Sequence, residues 1–263
     1  MRRYLMCRPS YFAVDYAINP WMDPSAPVDV DRAVRQWEHL RDTYRTLGHV
    51  VDEIEPIPGL PDMVFAANGA TVIDGTVYGA QFRYPERAAE APAYLNWLAD
   101  AGFATFEAKH VNEGEGDLLL AGQFLLAGTG FRTDHGAHAE AQEVFGRPVI
   151  TLQLVDPRYY HLDTALTVLA DDTVAYLPEA FSAASRQVLA QLYPDAILAG
   201  EADAGVLGLN AVSDGRHVVM PAQAKGLARQ FAERGYDPVP VDLSELLKAG
   251  GGPKCCTLEL RGA

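Results

Sequence analysis

Thiols are scarce in this chain: its 263 residues include three cysteines, and two of them, Cys255 and Cys256, are adjacent. An odd number with a neighbouring pair makes a poor disulfide framework, so reduced thiols and a cytoplasmic setting are expected. Long apolar runs are missing as well. None approaches the roughly 20 residues that span a bilayer. The opening "MRRYLMCRPSYF" has two arginines but no apolar signal-peptide core, so no membrane partner is expected. Positive charge is short, with 21 Lys and Arg against 35 Asp and Glu and a net charge of −14. Nucleic acids need a basic face, which excludes them as expected partners, whereas a small cationic substrate is compatible with this balance. The metal-binding spacings CxxC, HxH and HExxH do not occur, and neither a metal nor an organic cofactor is expected. No Pro-, Gly- or Ser-rich linker interrupts the chain, which predicts one domain over residues 1–263; a homo-oligomer is compatible with the sequence.

What the chain does have is a recurring pattern. Five stretches carry apolar residues at i, i+3, i+4 spacing and predict helices: "DRAVRQWEHLRDTYRTLG", "YPERAAEAPAYLNWLADAG", "HAEAQEVFG", "SAASRQVLAQLYPD" and "AKGLARQFAERGYD". Each is followed by a short strand-like run: "HVVDEIEP", "FATFEAKHV", "PVITLQLV", "AILAGEA" and "DPVPVDL". Four are preceded by a hairpin with visible turn residues: "TVIDGTVYGA", "LLLAGQFLLAG", "TVLADDTVAYLP" and "AVSDGRHVVMPA". The unit is hairpin, helix, strand, and it recurs about every 50 residues. Five units fill the chain if its first and last strands combine into one. An α/β fold with a radial or stacked repeat follows.

Five segments rich in small and polar residues separate these units: "GLPDMVFAANGA", "NEGEGDLLL", "RYYHLDTAL", "EADAGVLGLN" and "AGGGPKCCTL". In a radial repeat they lie on one ring, so Asn68, Glu113, Asp117, His161, Asp163 and Cys255 are expected to converge. Glycines beside them let the backbone approach closely. A Cys with a His and carboxylates is a nucleophilic constellation. His161, with an ordinary pKa near 6.5, can lower the thiol's pKa and serve as acid and base. Cys256, read as lying on a strand, is expected to point away from the centre into packed core, and Cys7 is expected in the core. His39, His49, His110, His135, His138 and His217 are expected at the surface or in turns.

The motifs "HLDT" at 161–164 and "GGGPKC" at 250–255, with "PDMVF" and the Glu-Gly loop at 113–117, resemble the guanidine-modifying, or pentein (amidinotransferase), superfamily. The likeness runs over essentially the full chain. It implies a five-bladed α/β propeller of pseudo-fivefold hairpin-helix-strand repeats. Within the superfamily, "DYAINPWMD", "FAANGA", "FRYPER", "AGTGFRTD" and "RYYHLDT" are most similar to arginine dihydrolase domains of the cyanobacterial type. The resemblance implies hydrolysis of guanidino C–N bonds through a covalent cysteine thiouronium, with arginine converted to ornithine, CO2 and ammonia. It implies Cys255 as nucleophile, His161 as acid and base, and Glu113 as partner of His161 or of the guanidinium. Asn19, Asn68 and Asp163 are implied around the guanidinium, and Arg87 and Arg132 as candidates for the substrate's α-carboxylate. The alternatives are dimethylarginine dimethylaminohydrolase or arginine deiminase activity, then amidino transfer, then a non-catalytic pentein. Asn68 stands where deiminases and dimethylarginine hydrolases usually have Asp. Its amide can face both a guanidinium and a ureido product, which favours two rounds of hydrolysis. The roles of Glu115, Asp117 and Asn210 are left open.

Overall fold

The computed structural model describes residues 1–262. Fifteen strands form five separate three-stranded sheets, each with an antiparallel pair and a third, parallel strand. The strands are β1 (Arg3–Cys7), β2 (Val50–Ile54), β3 (Ala70–Ile73), β4 (Thr76–Gly79), β5 (Ala104–Phe106), β6 (Leu118–Ala121), β7 (Phe124–Thr129) and β8 (Val149–Gln153). The second half of the chain adds β9 (Leu166–Ala170), β10 (Thr173–Tyr176), β11 (Ile197–Leu198), β12 (Val212–Ser213), β13 (His217–Pro221), β14 (Asp237–Val241) and β15 (Leu258–Glu259).

The hairpins form where turn chemistry allows. Between β3 and β4, Asp74 and Gly75 both have positive φ, 50° and 77°, as a two-residue type I′ turn requires. After each hairpin a helix crosses back and a parallel strand closes the sheet. The long helices are α1 (Val30–Thr46), α2 (Glu90–Asp100), α3 (His135–Phe145), α5 (Ala183–Leu192) and α7 (Lys225–Glu233); two single turns, α4 (Leu162–Ala165) and α6 (Glu201–Ala204), interrupt the series. In α1 the i, i+3, i+4 pattern puts Ala33, Gln36, Trp37, Leu40 and Tyr44 on the buried face, and the Asp29 side chain caps the helix at the Arg32 N–H. Two runs shorten on folding. "FATFEAKHV" keeps three residues as strand and "AILAGEA" two, because pairing with the inner strand ends there.

The chain ends meet in one sheet. β15 pairs antiparallel with β1, and β1 pairs parallel with β2, so the last strand completes the first unit. This matches the expectation that first and last strands combine. It also fixes Cys255 three residues ahead of a strand anchored in the core.

Each polar segment leads into the antiparallel edge strand of one sheet, β3, β6, β9, β12 or β15, and neighbouring segments meet in turn. Gly114, against the Ala67 and Ala70 carbonyls, brings the second segment onto the first. Asp117 Oδ1 accepts from the Leu162 N–H at 2.9 Å, joining the second to the third. Asn210 Nδ2 donates to the Asp163 carbonyl at 3.1 Å, joining the third to the fourth. The Cys255 N–H donates to Asn210 Oδ1 at 3.0 Å, and the Ala67 N–H donates to the Cys255 carbonyl at 3.0 Å, which returns the circuit to the first segment. The five segments therefore form a closed ring of contacts. No helix among the described residues is long and apolar enough to cross a membrane.

Candidate active site

Cys255 sits in the turn 253–256, almost fully buried. Its Sγ lies 3.1 Å from Asn210 Nδ2 and 3.4 Å from Asp163 Oδ2. Burial, then the neighbouring Asp163 charge, pushes the thiol well above its ordinary pKa. Asp163 is completely enclosed; burial raises its carboxyl to about 7, against the pull of Lys254. Its Oδ1 has no hydrogen-bond partner within the protein. A buried carboxylate with one free oxygen beside a thiol is prepared for a cation.

His161 faces the same centre from the residue before α4. Its Nε2 lies 2.7 Å from Glu113 Oε2, and the same oxygen accepts from Arg132 Nη1 at 2.7 Å. Burial opposes the Glu113 charge, but Arg132 and His161 overcome it and hold the carboxyl below its usual range. An ionised carboxylate only accepts hydrogen bonds, so Nε2 carries the hydrogen and Nδ1 is left to exchange protons. His161 Nδ1 has no protein partner, and neither has Asn68 Nδ2. The two are neighbours over Gly116, where a Cβ would stand 2.6 Å from Asn68 Nδ2 and 3.1 Å from His161 Nδ1. The glycines of the 113–117 loop thus make room for two unpartnered polar groups.

Arg132 is buried between the rings of Tyr84 and Tyr160, 4.7 Å from each centroid, and also donates to the Ile18 carbonyl at 2.9 Å. Arg87, a candidate for the α-carboxylate from the resemblance, is engaged within the protein. Its Nε and Nη2 fork onto Glu90 at 2.9 and 2.7 Å, Nη2 also reaches the Asp62 carbonyl, and Nη1 holds Asn68 Oδ1 at 2.8 Å. Glu90 lies three residues on, in the first turn of α2, and can take both prongs. The consequence is that Arg87 fixes the Asn68 amide with its NH2 toward Gly116. Asn19 is only half-buried; its Nδ2 bonds the Ala249 carbonyl and its Oδ1 accepts from the Trp21 N–H. It stands in a segment laid over the site, which Tyr16 ties to Asp62 Oδ2 at 2.8 Å and Trp21 to the Arg158 carbonyl at 2.8 Å. Among the described residues, no group of three or more His, Cys, Asp or Glu is arranged to hold a metal ion.

The family model for N,N dimethylarginine dimethylhydrolase, eukaryotic, matches residues 8–262. The chain belongs to the dimethylarginine hydrolase family. Within it, the chain is 60% identical over 98% of its length to N(G),N(G)-dimethylarginine dimethylaminohydrolase of Mycobacterium tuberculosis, covering 86% of that protein. It is 37% identical, again over 98% of its length, to the bifunctional arginine dihydrolase/ornithine cyclodeaminase ArgZ of Synechocystis, of which it spans 37%. The N-terminal domain of ArgZ, solved with substrate in a cysteine-to-serine variant, superposes with a TM-score of 0.96 at 35% identity, covering all of both chains. This member of the dimethylarginine hydrolase family is a cysteine-dependent amidine hydrolase, related to the arginine dihydrolases and of pentein type.

Several readings change with the structure. Cys256 is not on a strand: it ends the 253–256 turn, its N–H on the Gly252 carbonyl at 3.2 Å, and it is buried by the packing of the turn. Cys7 is buried as expected. His49 and His138 are not surface residues. His49 is enclosed against Asp214, and His138 bonds Thr151 Oγ1 and the Gly128 carbonyl. Glu115 pairs with Lys254 Nζ at 2.6 Å and with Arg261. Asp117 spends Oδ1 on the Leu162 N–H; burial raises it to about 6. The role of Asn210, left open by the sequence, is to bond Cys255 and Asp163, and Glu90 escaped the sequence reading altogether. A polar residue ending an apolar loop, "VLGLN", was the one signal for the first, and an acidic residue in the opening turn of a helix the one for the second.

Proposed function

We propose that Cys255 is the nucleophile, and that this enzyme hydrolyses a guanidino C–N bond of a free, arginine-type amino acid. The observation that carries this reading is the pairing of a buried thiol with Asp163 on one side, and of Glu113-oriented His161 with Asn68 on the other. Asp163 and Asn68 hold the planar cation so that its carbon faces sulfur. His161 takes the thiol proton as Sγ attacks that carbon, and passes it to the departing amine as the C–N bond breaks. The thiouronium that remains is attacked by water, whose proton passes to His161; the S–C bond breaks and the ureido product is released. In this reading Arg132 holds Glu113 and Arg87 holds Asn68. The five sheets are read as blades of one propeller around the ring of contacts, within a single domain over residues 1–263. Reduced Cys7, Cys255 and Cys256 fit a cytoplasmic enzyme.

For the leaving group, the 60% relative supports dimethylarginine, giving citrulline and dimethylamine, over the arginine dihydrolysis that the motifs alone put first. One observation keeps the second reading in play. Asn68 presents an amide rather than a carboxylate, so it can hold a neutral ureido group through a further hydrolysis to ornithine. Parallel incubations with asymmetric dimethylarginine and with arginine, following citrulline, dimethylamine, ornithine and ammonia, separate the two. Citrulline and dimethylamine from the first substrate alone support the dimethylaminohydrolase. Ornithine with two ammonia per arginine supports the dihydrolase, and turnover of neither contradicts both.

A further inference from the structure

Asn210 is fully buried, and each polar atom of its side chain is committed. Oδ1 accepts the Cys255 N–H at 3.0 Å, while Nδ2 donates to the Asp163 carbonyl and to Cys255 Sγ, both at 3.1 Å. These partners fix which way the amide points. Turned over, it would set NH2 against the Cys255 N–H and oxygen against the Asp163 carbonyl, two like-with-like contacts. The N–H therefore faces the sulfur.

The surrounding chain is shaped to keep it there. Leu207, three residues before Asn210, has a φ of +53°, a left-handed conformation that a leucine adopts at a cost, and its carbonyl accepts the Asn210 N–H at 2.9 Å. On the other side, a Cβ on Gly252 would stand 2.8 Å from Asn210 Oδ1. The last glycine of the "GGG" run is thus the space that the asparagine occupies.

The groups facing Sγ otherwise disfavour an anion. Asp163 Oδ2 lies 3.4 Å away and burial removes water. The Gly252 backbone acts in the favourable direction. We infer that Asn210 is a further catalytic residue, whose amide N–H stabilises the Cys255 thiolate and aims it at the guanidino carbon. The inference rests on the assignment of Cys255 as nucleophile. A hydrogen bond donated to an ionised acceptor is stronger than one to its neutral form, so the bond strengthens as the thiol gives up its proton.

The test is iodoacetamide alkylation of the intact enzyme as a function of pH, with the modified cysteine mapped by mass spectrometry. In this reaction the S–C bond forms, iodide leaves and the thiol proton passes to buffer. Asn210→Ala is compared with Asn210→Ser, which keeps a polar group under the Cys255 N–H while withdrawing the donor from sulfur. Both are expected to move the Cys255 alkylation midpoint upward by about one pH unit, slowing modification about tenfold near neutral pH. Turnover should recover toward the parent's as pH rises, which a packing defect would not do. A parental midpoint in either folded variant overturns the inference. So does activity in Cys255→Ser, which overturns the nucleophile assignment with it; a parental midpoint alongside an inactive Cys255→Ser overturns Asn210 alone.

Discussion

Glu113 binds His161 Nε2 at 2.7 Å, and in doing so chooses which nitrogen of the ring does chemistry. Because Arg132 holds Glu113 ionised, Nε2 is its donor and Nδ1 is the exchangeable site. Replacing Glu113 by Gln removes that choice, since an amide can face Nε2 with either end. We expect a loss of kcat of about 100-fold or more, with KM changed far less, because the proton transfer is impaired and not the binding. A steady-state comparison checks this; a rise in KM alone would contradict it.

Asp163 sets a pH dependence on binding. Its carboxyl titrates at about 7 in the free enzyme because it is buried, and a guanidinium needs it ionised. kcat/KM should therefore rise with pH through about 7, and the Cys255 thiol, also pushed up, adds to the same trend. The pH profile of Asp163→Asn should lack the limb near 7 and lie at least about 100-fold lower. A profile that falls across neutrality would contradict the assignment.

The same group acts on stability with a definite sign. Its pKa is raised on folding, so between about 4 and 7 the folded chain binds more protons than the unfolded one, and this group's contribution falls as pH rises. Asn mimics the protonated acid. Asp163→Asn should match the parent in urea at pH about 4 and become progressively more stable than it through pH about 7. A constant difference across that range would show that Asp163 does not titrate there.

Much of the fold was legible in the sequence. The turn residues of the β3–β4 and β6–β7 hairpins, the helical spacing of α1, and the union of the first and last strands were all readable, because they depend on local chemistry or on counting units. "HLDT" and "GGGPKC" carried His161, Asp163 and Cys255 to one centre. What was not legible is pairwise and distant. The Asn210–Cys255 bond joins residues 45 apart, and Glu115 with Lys254 joins residues 139 apart. Arg87 looked like a free cation at a helix start until α2 folded Glu90 onto it. Arginine spacing does not say whether a guanidinium binds substrate or holds a neighbour in place.

Gly116 offers a steric test of the centre. An alanine Cβ would press on Asn68 Nδ2 and His161 Nδ1 together. Gly116→Ala should lose about 100-fold or more in kcat/KM while stability falls by only about 1–3 kcal/mol, the usual cost of overpacking. Kinetics beside a denaturant titration decides; full activity would mean that these two groups do not share the substrate.

Asn68→Asp tests the argument from the ureido product. A carboxylate would meet the product carbonyl acceptor to acceptor, so any ornithine formed by the parent from arginine should give way to citrulline in the variant. Unchanged ornithine would remove Asn68 from the second hydrolysis.

In this mechanism Cys255 carries the substrate carbon. Acid quenching during turnover, followed by intact-mass measurement and peptide mapping, tests it most directly. Cys255 is expected to carry a thiouronium adduct that keeps the substrate's amino-acid side chain, and Cys7 and Cys256 none, with Cys255→Ser inactive. Turnover without an adduct at Cys255, or an adduct on Cys256, would contradict it.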